Sequence, residues 1–394
     1  MTNSSVSHLV YVFPEDLPMP KARAIQVLHT VAALGQEGMR VSLIFRRGAV
    51  DRSPFESCGL ADPPNVTLEP VPGTLPGTSV CSGWFFARRV KHLLDEKERL
   101  GDRPDAVLLR HIKLAHRLLS AGISIPVIYE AHELFADTVQ PRRRHSMARK
   151  EQSVLRQSSA RIAITRRLAE LLAARYDPQM NFHILPSGSD LPAEPAAKDW
   201  SMCRQRIVYA GSLYDWKGVG DLVKAATLLD PDIVVTIIGG DESEILRLQQ
   251  EHPHGRGARV EYLGRLTHQE VREYLRWACL AILPNRSGSI SEFTSPIKLF
   301  EYMAYGCAIV ASDLPVFREV LGPADAAWHR PGDPESLAAA MQGFVRNPTA
   351  AQAAAASARS LADRYTWRAR AESLGKVVKQ FVRPARRASL VPYP

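Results

Sequence analysis

The sequence predicts an α/β protein made of two doubly wound parallel sheets joined by a linker, and three observations carry that expectation. The chain has 394 residues, beyond the size at which a single hydrophobic core usually divides. Short apolar runs alternate with stretches of helical periodicity, the rhythm of parallel strands covered on both faces by helices. The rhythm breaks once, around Pro186, Ser187, Gly188, Ser189, Asp190, Leu191, Pro192 and Pro195. A Pro-rich stretch without periodicity is linker composition.

Residues 8–13 are an apolar run that Pro14 is expected to end as a buried strand. After the break at Pro18 and Pro20, Ile25, Val27, Leu28, Val31 and Leu34 recur at helical spacing over 22–34, and Gly38 closes that helix before a strand at 41–45. Further strands are expected at 66–72, 105–111, 126–131, 160–165 and 181–185, with helices at 82–99, 112–121, 144–158 and 167–176. In the second half strands fall at 206–211, 233–239, 260–264, 280–284, 308–312 and 325–329, alternating with helices at 217–229, 242–252, 267–277 and 295–305. A helical tail follows at 334–345, 350–361 and 367–382, ending in a basic stretch at 383–387. The expected domains are 1–192 and 203–366, with 367–394 as a last helix and tail. Ligands of such sheets sit beyond the C-terminal ends of the strands, so the cleft between two facing domains is the expected site.

The apolar fraction of 45% and charged fraction of 23% are those of a soluble globular protein. No apolar run approaches the roughly 18 residues that span a bilayer, and residues 1–8 lack the pattern of a signal peptide. Cys58, Cys81, Cys203, Cys279 and Cys307 are odd in number and scattered, which argues for reduced thiols and a cytoplasmic protein rather than disulfides or a zinc site. The net charge is +9 and densest from Arg142, Arg143 and Arg144 to Arg149, Lys150 and Arg156. No aromatic residue interleaves with these charges, so nucleic acid is not an expected partner. A solvated basic face is the plain reading, and contact with an anionic membrane is its alternative. The phosphate loop GxxxxGK[ST] and the dinucleotide fingerprint GxGxxG do not occur, which takes most of the support from a kinase or dehydrogenase reading.

Two stretches carry chemistry. Ser295-Pro296-Ile297-Lys298-Leu299-Phe300-Glu301 reads as a helix start, with serine as cap and proline in the first turn. Its free amides and dipole favour an anion, Lys298 adds a charge, and Glu301 stands ready for hydroxyls beside that anion. The alternative is an ordinary surface pair of Lys298 with Glu301. Gly211-Ser212-Leu213-Tyr214-Asp215-Trp216-Lys217-Gly218 follows a strand; the glycine permits close approach to the backbone and Lys217 can hold a diphosphate by charge. A lysine at a polar turn is its alternative. Both stretches fall at strand ends of one domain.

These stretches, with Leu263-Gly264-Arg265 and with Ala308-Ile309-Val310-Ala311-Ser312-Asp313-Leu314-Pro315 after the first, resemble family 4 of the retaining glycosyltransferases, which have the GT-B fold of two Rossmann-like domains facing each other across a cleft. The resemblance reaches into the first domain at Glu130-Ala131-His132-Glu133, resumes at Pro186-Ser187-Gly188-Ser189-Asp190, and runs to Tyr365-Thr366-Trp367, where the family's chain crosses back to the first domain. It implies a catalytic set of His132 facing the donor sugar, Lys217 on the diphosphate and Glu301 on the ribose. Gly211, Ser212, Arg265, Glu292, Ser295, Pro296, Ile297, Lys298 and Leu299 are the implied donor-binding residues, with no metal and no cofactor. A structural histidine at a strand end remains the alternative for His132. Two positions depart from the family pattern: Phe293 stands where the first glutamate of E-x7-E belongs, with Glu292 beside it, and Ser212 replaces an arginine of the phosphate clamp. Arg265 and Arg286 are the reserve cations for the diphosphate. The implied activity is transfer of a sugar from a nucleotide sugar, UDP- or GDP-linked, to an acceptor hydroxyl of a glycan, lipid-linked or small-molecule acceptor. A nucleotide-sugar epimerase and a non-catalytic glycan- or partner-binding subunit are the alternatives.

Overall fold

The computed structural model describes residues 7–19, 21–47, 53–73, 82–194, 197–253, 255–288, 290–295 and 297–382. Pro20, Cys81, Pro195, Pro296 and the basic stretch at 383–387 lie outside them. By its contacts the chain forms two units. One holds the residues up to 130, 141–162 and those from 371 on; the other holds 131–140 and 163–370.

The first sheet is built from β1 (His8–Leu17), α1 (Ala22–Gln36), β2 (Arg40–Arg47), β3 (Val66–Val71), α2 (Gly83–Arg99), β4 (Ala106–Leu109), α3 (Ile112–Ser120), β5 (Val127–Ala131), α4 (Phe135–Thr138), α5 (Arg144–Gln157), β6 (Ala160–Ala163), α6 (Arg166–Tyr176) and β7 (His183–Ile184). Its strand order is β3-β2-β1-β4-β5-β6-β7. Leu9, Val10, Tyr11 and Val12 are fully buried on both faces of the sheet, as expected of a central parallel strand. β1 does not end at Pro14. Its pairing with β4 covers only Leu9 to Val12, while pairing with β2 shifts register between Phe13 and Asp16. Pro14 sits in that irregularity, where its missing N–H costs no ladder bond.

The second sheet comprises β8 (Ile207–Ala210), α7 (Val219–Ala226), β9 (Val234–Ile238), α8 (Glu242–Glu251), β10 (Arg259–Gly264), α9 (His268–Trp277), β11 (Leu280–Leu283), α10 (Ile297–Ala304), β12 (Ala308–Ser312), α11 (Pro315–Arg318) and β13 (Ala326–His329). Then come α12 (Pro334–Arg346), α13 (Pro348–Leu361) and α14 (Trp367–Lys379). The order is β10-β9-β8-β11-β12-β13, all parallel. Ile207 and Tyr209 face one apolar cluster while Val208 and Ala210 face the other, the period of two that a sheet covered on both sides imposes. Thus the protein is an α/β chain of two parallel sheets flanked by helices. In the second sheet the strand order reverses between β8 and β11, the place where such sheets leave a crevice.

The Pro-rich stretch expected as a linker is tied down. Ser187 and Ser189 are buried, and Ser189 bridges Thr366 in parallel, its N–H donating to Tyr365 O at 2.9 Å. A side chain on Gly188 would lie 2.7 Å from the Thr366 backbone. Arg370, itself buried, donates to the carbonyls of Leu185 at 2.6 Å and Pro186 at 2.9 Å.

Candidate functional site

The rim of the second sheet at its reversal is made of backbone against backbone. Gly211 follows β8 and donates to Ile238 O at 2.9 Å, while Gly239 donates to Gly264 O at 2.7 Å. Gly239 has φ of +129°, and a Cβ there would stand 1.8 Å from Gly211 O. Only glycine fits that position. The turn after β8 is likewise pressed onto the turn after β11: a Cβ on Gly218, at φ +69°, would lie 1.8 Å from Pro284 O, and Arg286 N donates to Trp216 O at 3.0 Å.

This contact sets the place of Lys217, which differs from expectation. It does not open a helix at 217–229. Asp215–Lys217 form one turn of 3-10 helix, and α7 begins only at Val219 because Gly218 takes the left-handed conformation between them. The Lys217 Nζ lies 4.2 Å from the centre of the Trp216 ring and no carboxylate pairs with it among the described residues. Burial pushes its ammonium down to about 8.

The reserve arginines are committed elsewhere. Arg286 donates to Asp221 at 2.6 and 2.7 Å and to Asp215 at 2.6 Å; the hydrogen bonds to Asp221 dominate in raising its pKa. Arg265 lies against Asp241 at 3.2 Å and Glu244 at 3.4 Å, at the start of α8. Glu292 faces Arg167 at 3.3 Å. Phe293 is buried, and its carbonyl accepts from the Thr165 hydroxyl at 3.3 Å. The position that holds a carboxylate in the resembling family is thus part of an apolar packing surface here.

α10 brings Lys298 and Glu301 together, with Leu299 packed in the core. Lys298 Nζ lies 2.5 Å from Glu301 Oε2. This is not the surface pair that was the alternative reading, because Glu301 is 5% exposed. Burial alone would raise the Glu301 carboxyl. The Lys298 ammonium, then His268 and Arg272, outweigh it and hold the group below the usual carboxylate range. His268 Nδ1 stands 3.8 Å from Glu301 Oε1. Tyr302 fixes the helix to the rim: its hydroxyl accepts from Ala210 N at 2.9 Å, one residue before Gly211. The Ser295 hydroxyl accepts from Ser187 N at 3.1 Å, and Ile297 is half-buried at the first position of the helix. His132 follows β5 in the first sheet and is half-buried. His268, Tyr302, Gly239 and Gly240 escaped the sequence reading; the only local signal near them was the T-x-x-E capping box at Thr267 and Glu270.

Known proteins bear on this geometry. Residues 24–192 match the model of "Glycosyltransferase Family 4" and residues 204–347 that of "Glycosyl transferases group 1". The phosphatidyl-myo-inositol mannosyltransferase of Mycolicibacterium smegmatis is 32% identical over 139 residues, 35% of this chain and 34% of that protein. The matched segment thus spans about a third of that relative's length. Sucrose-phosphate synthase from Thermosynechococcus elongatus superimposes with a TM-score of 0.75 at 16% identity, over 95% of this chain and 98% of the other. Anabaena HepE in complex with UDP-glucose gives 0.69 at 14%, over 95% and 99%. The chain belongs to the family 4 glycosyltransferases and has the GT-B fold.

Two predictions follow from Lys217. Its charge is mostly present at pH 7, half lost near pH 8 and largely gone by pH 9, so a nucleoside diphosphate, if held by this lysine, binds more weakly as pH rises from 7 to 9. Isothermal titration calorimetry is expected to show that fall in the wild type and a much flatter profile in Lys217→Arg, whose charge does not titrate there. The folded state also bears the burial of this ammonium below pH 8, where the unfolded chain holds it in water. Lys217→Met is therefore expected to stabilise the unliganded protein at pH 7 by about 1 kcal/mol, read by denaturant unfolding.

Proposed function

We propose that the protein transfers a hexosyl group from a nucleotide diphosphate sugar, UDP- or GDP-linked, to an acceptor hydroxyl with retention at the anomeric carbon. The observation that carries this reading is the charge layout at the β8/β11 rim. Lys217 has no carboxylate partner among the described residues, and the glycine-lined rim that carries it also anchors, through Ala210 and Tyr302, the helix bearing Lys298 and a buried Glu301 whose carboxyl is held below its usual range. A diphosphate satisfies the lysines, and ribose hydroxyls satisfy the glutamate. In transfer the bond from the anomeric carbon to the diphosphate oxygen breaks, and the diphosphate leaves with the electron pair. The acceptor oxygen bonds to the same face and its proton passes to the departing phosphate. Positive charge placed in advance on the leaving group lowers that barrier. On this reading protein cations meet the diphosphate charge without a metal, and His132 faces the sugar. Gly211, Ser212, Ser295 and Ile297 line the donor; Leu299, its side chain packed in the core, meets it only through backbone, and Arg265 and Glu292 serve it only after leaving their present partners.

In turnover assays with UDP- and GDP-sugars, Lys217→Ala or Glu301→Ala is expected to lower kcat/KM by about 100-fold or more in variants that stay folded by circular dichroism. Wild-type turnover in either variant overturns the assignment. Conversion of the donor sugar without any acceptor favours an epimerase, and failure of every nucleoside diphosphate to raise the melting temperature favours a non-catalytic subunit.

We further infer a cytoplasmic enzyme that touches an anionic membrane and glycosylates a lipid-linked, surface-polysaccharide or natural-product acceptor. No helix among the described residues is long and apolar enough to cross a membrane. The basic stretch that was the alternative candidate for this contact offers only charge: Arg142, Arg143, Arg144, Arg149 and Arg156 are exposed, but Met147, Val154 and Leu155 are buried. A better-provided surface lies on α2 and α3. Trp84 is 57% exposed with the Arg88 guanidinium 5.6 Å from its ring, beside a groove of about 520 Å³ lined by Lys91, His116 and Arg117. An aromatic tip flanked by cations suits the headgroup region of anionic lipid. Sedimentation with phosphatidylglycerol vesicles is expected to fall several-fold for Trp84→Ser and little for Arg143→Gln; equal losses in both variants reject α2 as the contact.

A further inference from the structure

We propose that His268 is a positioning residue for Glu301, holding its carboxylate on the ribose hydroxyls once the Lys298 ammonium has turned to the diphosphate. This rests on the donor-site reading above. The two oxygens of Glu301 face different elements: Oε2 meets Lys298 within α10, and Oε1 faces His268 on α9. The Lys298 contact conflicts with ligand binding. A lysine drawn to the diphosphate leaves Glu301, and a buried carboxylate that loses its ammonium must find other donors or shift away. Ribose hydroxyls supply part of that need, and the His268 Nδ1, 3.8 Å from Oε1, closes on the carboxylate to supply the rest and keep it aimed at them.

His268 suits the task because its backbone is fixed. It is the first residue of α9, directly after Thr267, whose hydroxyl accepts from Glu270 N at 3.2 Å while the Glu270 carboxylate accepts from Thr267 N at 2.7 Å. Arg272, one turn on, pairs with Asp190 at 2.6 Å, so a guanidinium does not take this place. Burial lowers the His268 pKa below its ordinary 6.5, with Glu301 pulling the other way. An imidazole N–H set against Oε1 orients Glu301 and leaves lone pairs for two hydroxyls.

The test compares dissociation constants, by calorimetry, for the ribo and 2′-deoxy forms of UDP and GDP. The wild type is expected to prefer a ribo form by tenfold or more. His268→Leu is expected to bring that preference to within threefold of unity, with pyrophosphate affinity unchanged, and His268→Asn, which keeps a donor, to retain most of it. Full ribo preference in folded His268→Leu, together with its loss in Glu301→Gln, overturns the role of His268 and leaves the donor site standing. Undiminished preference in Glu301→Gln, or no binding of either nucleotide by the wild type, overturns the donor-site reading and this inference with it. Loss of preference in His268→Asn equal to that in His268→Leu also overturns it.

Discussion

The second sheet depends on backbone packed directly on backbone at its C-terminal rim. Gly239 under Gly211 and Gly218 against Pro284 leave no space for a single added carbon. With no side chains between them, the turns after β8, β9 and β11 close directly on one another. The reversal of strand order between β8 and β11 puts this bare rim where the two halves of the sheet diverge. Tyr302 then clamps α10 to the last residue of β8, so the helix carrying Lys298 and Glu301 is referenced to the same backbone as Lys217.

Charge is distributed around that rim by commitment. Arg286 and Arg265 lie nearby in sequence terms, yet both are held by paired carboxylates. Arg286 braces the turn: Asp215 lies in its 3-10 segment and Asp221, buried, lies in the first turn of α7. Two acids around one guanidinium leave little field for an anion. Lys217, in the same turn, is left with an aromatic ring and a lowered pKa, a poor arrangement for stability.

Much of the architecture was legible because it follows from period. Apolar runs such as 8–13 and 308–312, set against helical spacing in 22–34, carry their own geometry. What was not legible depended on partners distant in sequence. Pro14 does not end β1 because β4 has stopped pairing by then, a fact of the sheet and not of the strand. Helices as short as Phe135–Thr138 and Pro315–Arg318 span barely one turn, too little for a pattern to show. The acids that occupy Arg286 stand 71 and 65 residues away, and nothing local marks them. Glu292 and Phe293 illustrate the same limit: spacing located them, but only packing separates the buried ring from the carboxylate turned to Arg167. The resemblance was strongest where chemistry constrains the residues, at 295–306, and weakest at the acids and arginines around it.

The discontinuity of the first unit bears on how the protein is made. α14 belongs mostly to that unit: Ala371, Leu374, Val377 and Val378 are buried, and Gly375 would bring a Cβ to 3.6 Å from Met39. A ribosome supplies the segment ending at residue 162 first and reaches Ala371 about ten to forty seconds later. Through that interval the surface α14 will cover stays open to water while the second unit is synthesised. A chain stalled in the second unit therefore carries a first unit whose apolar seat for α14 is still uncovered.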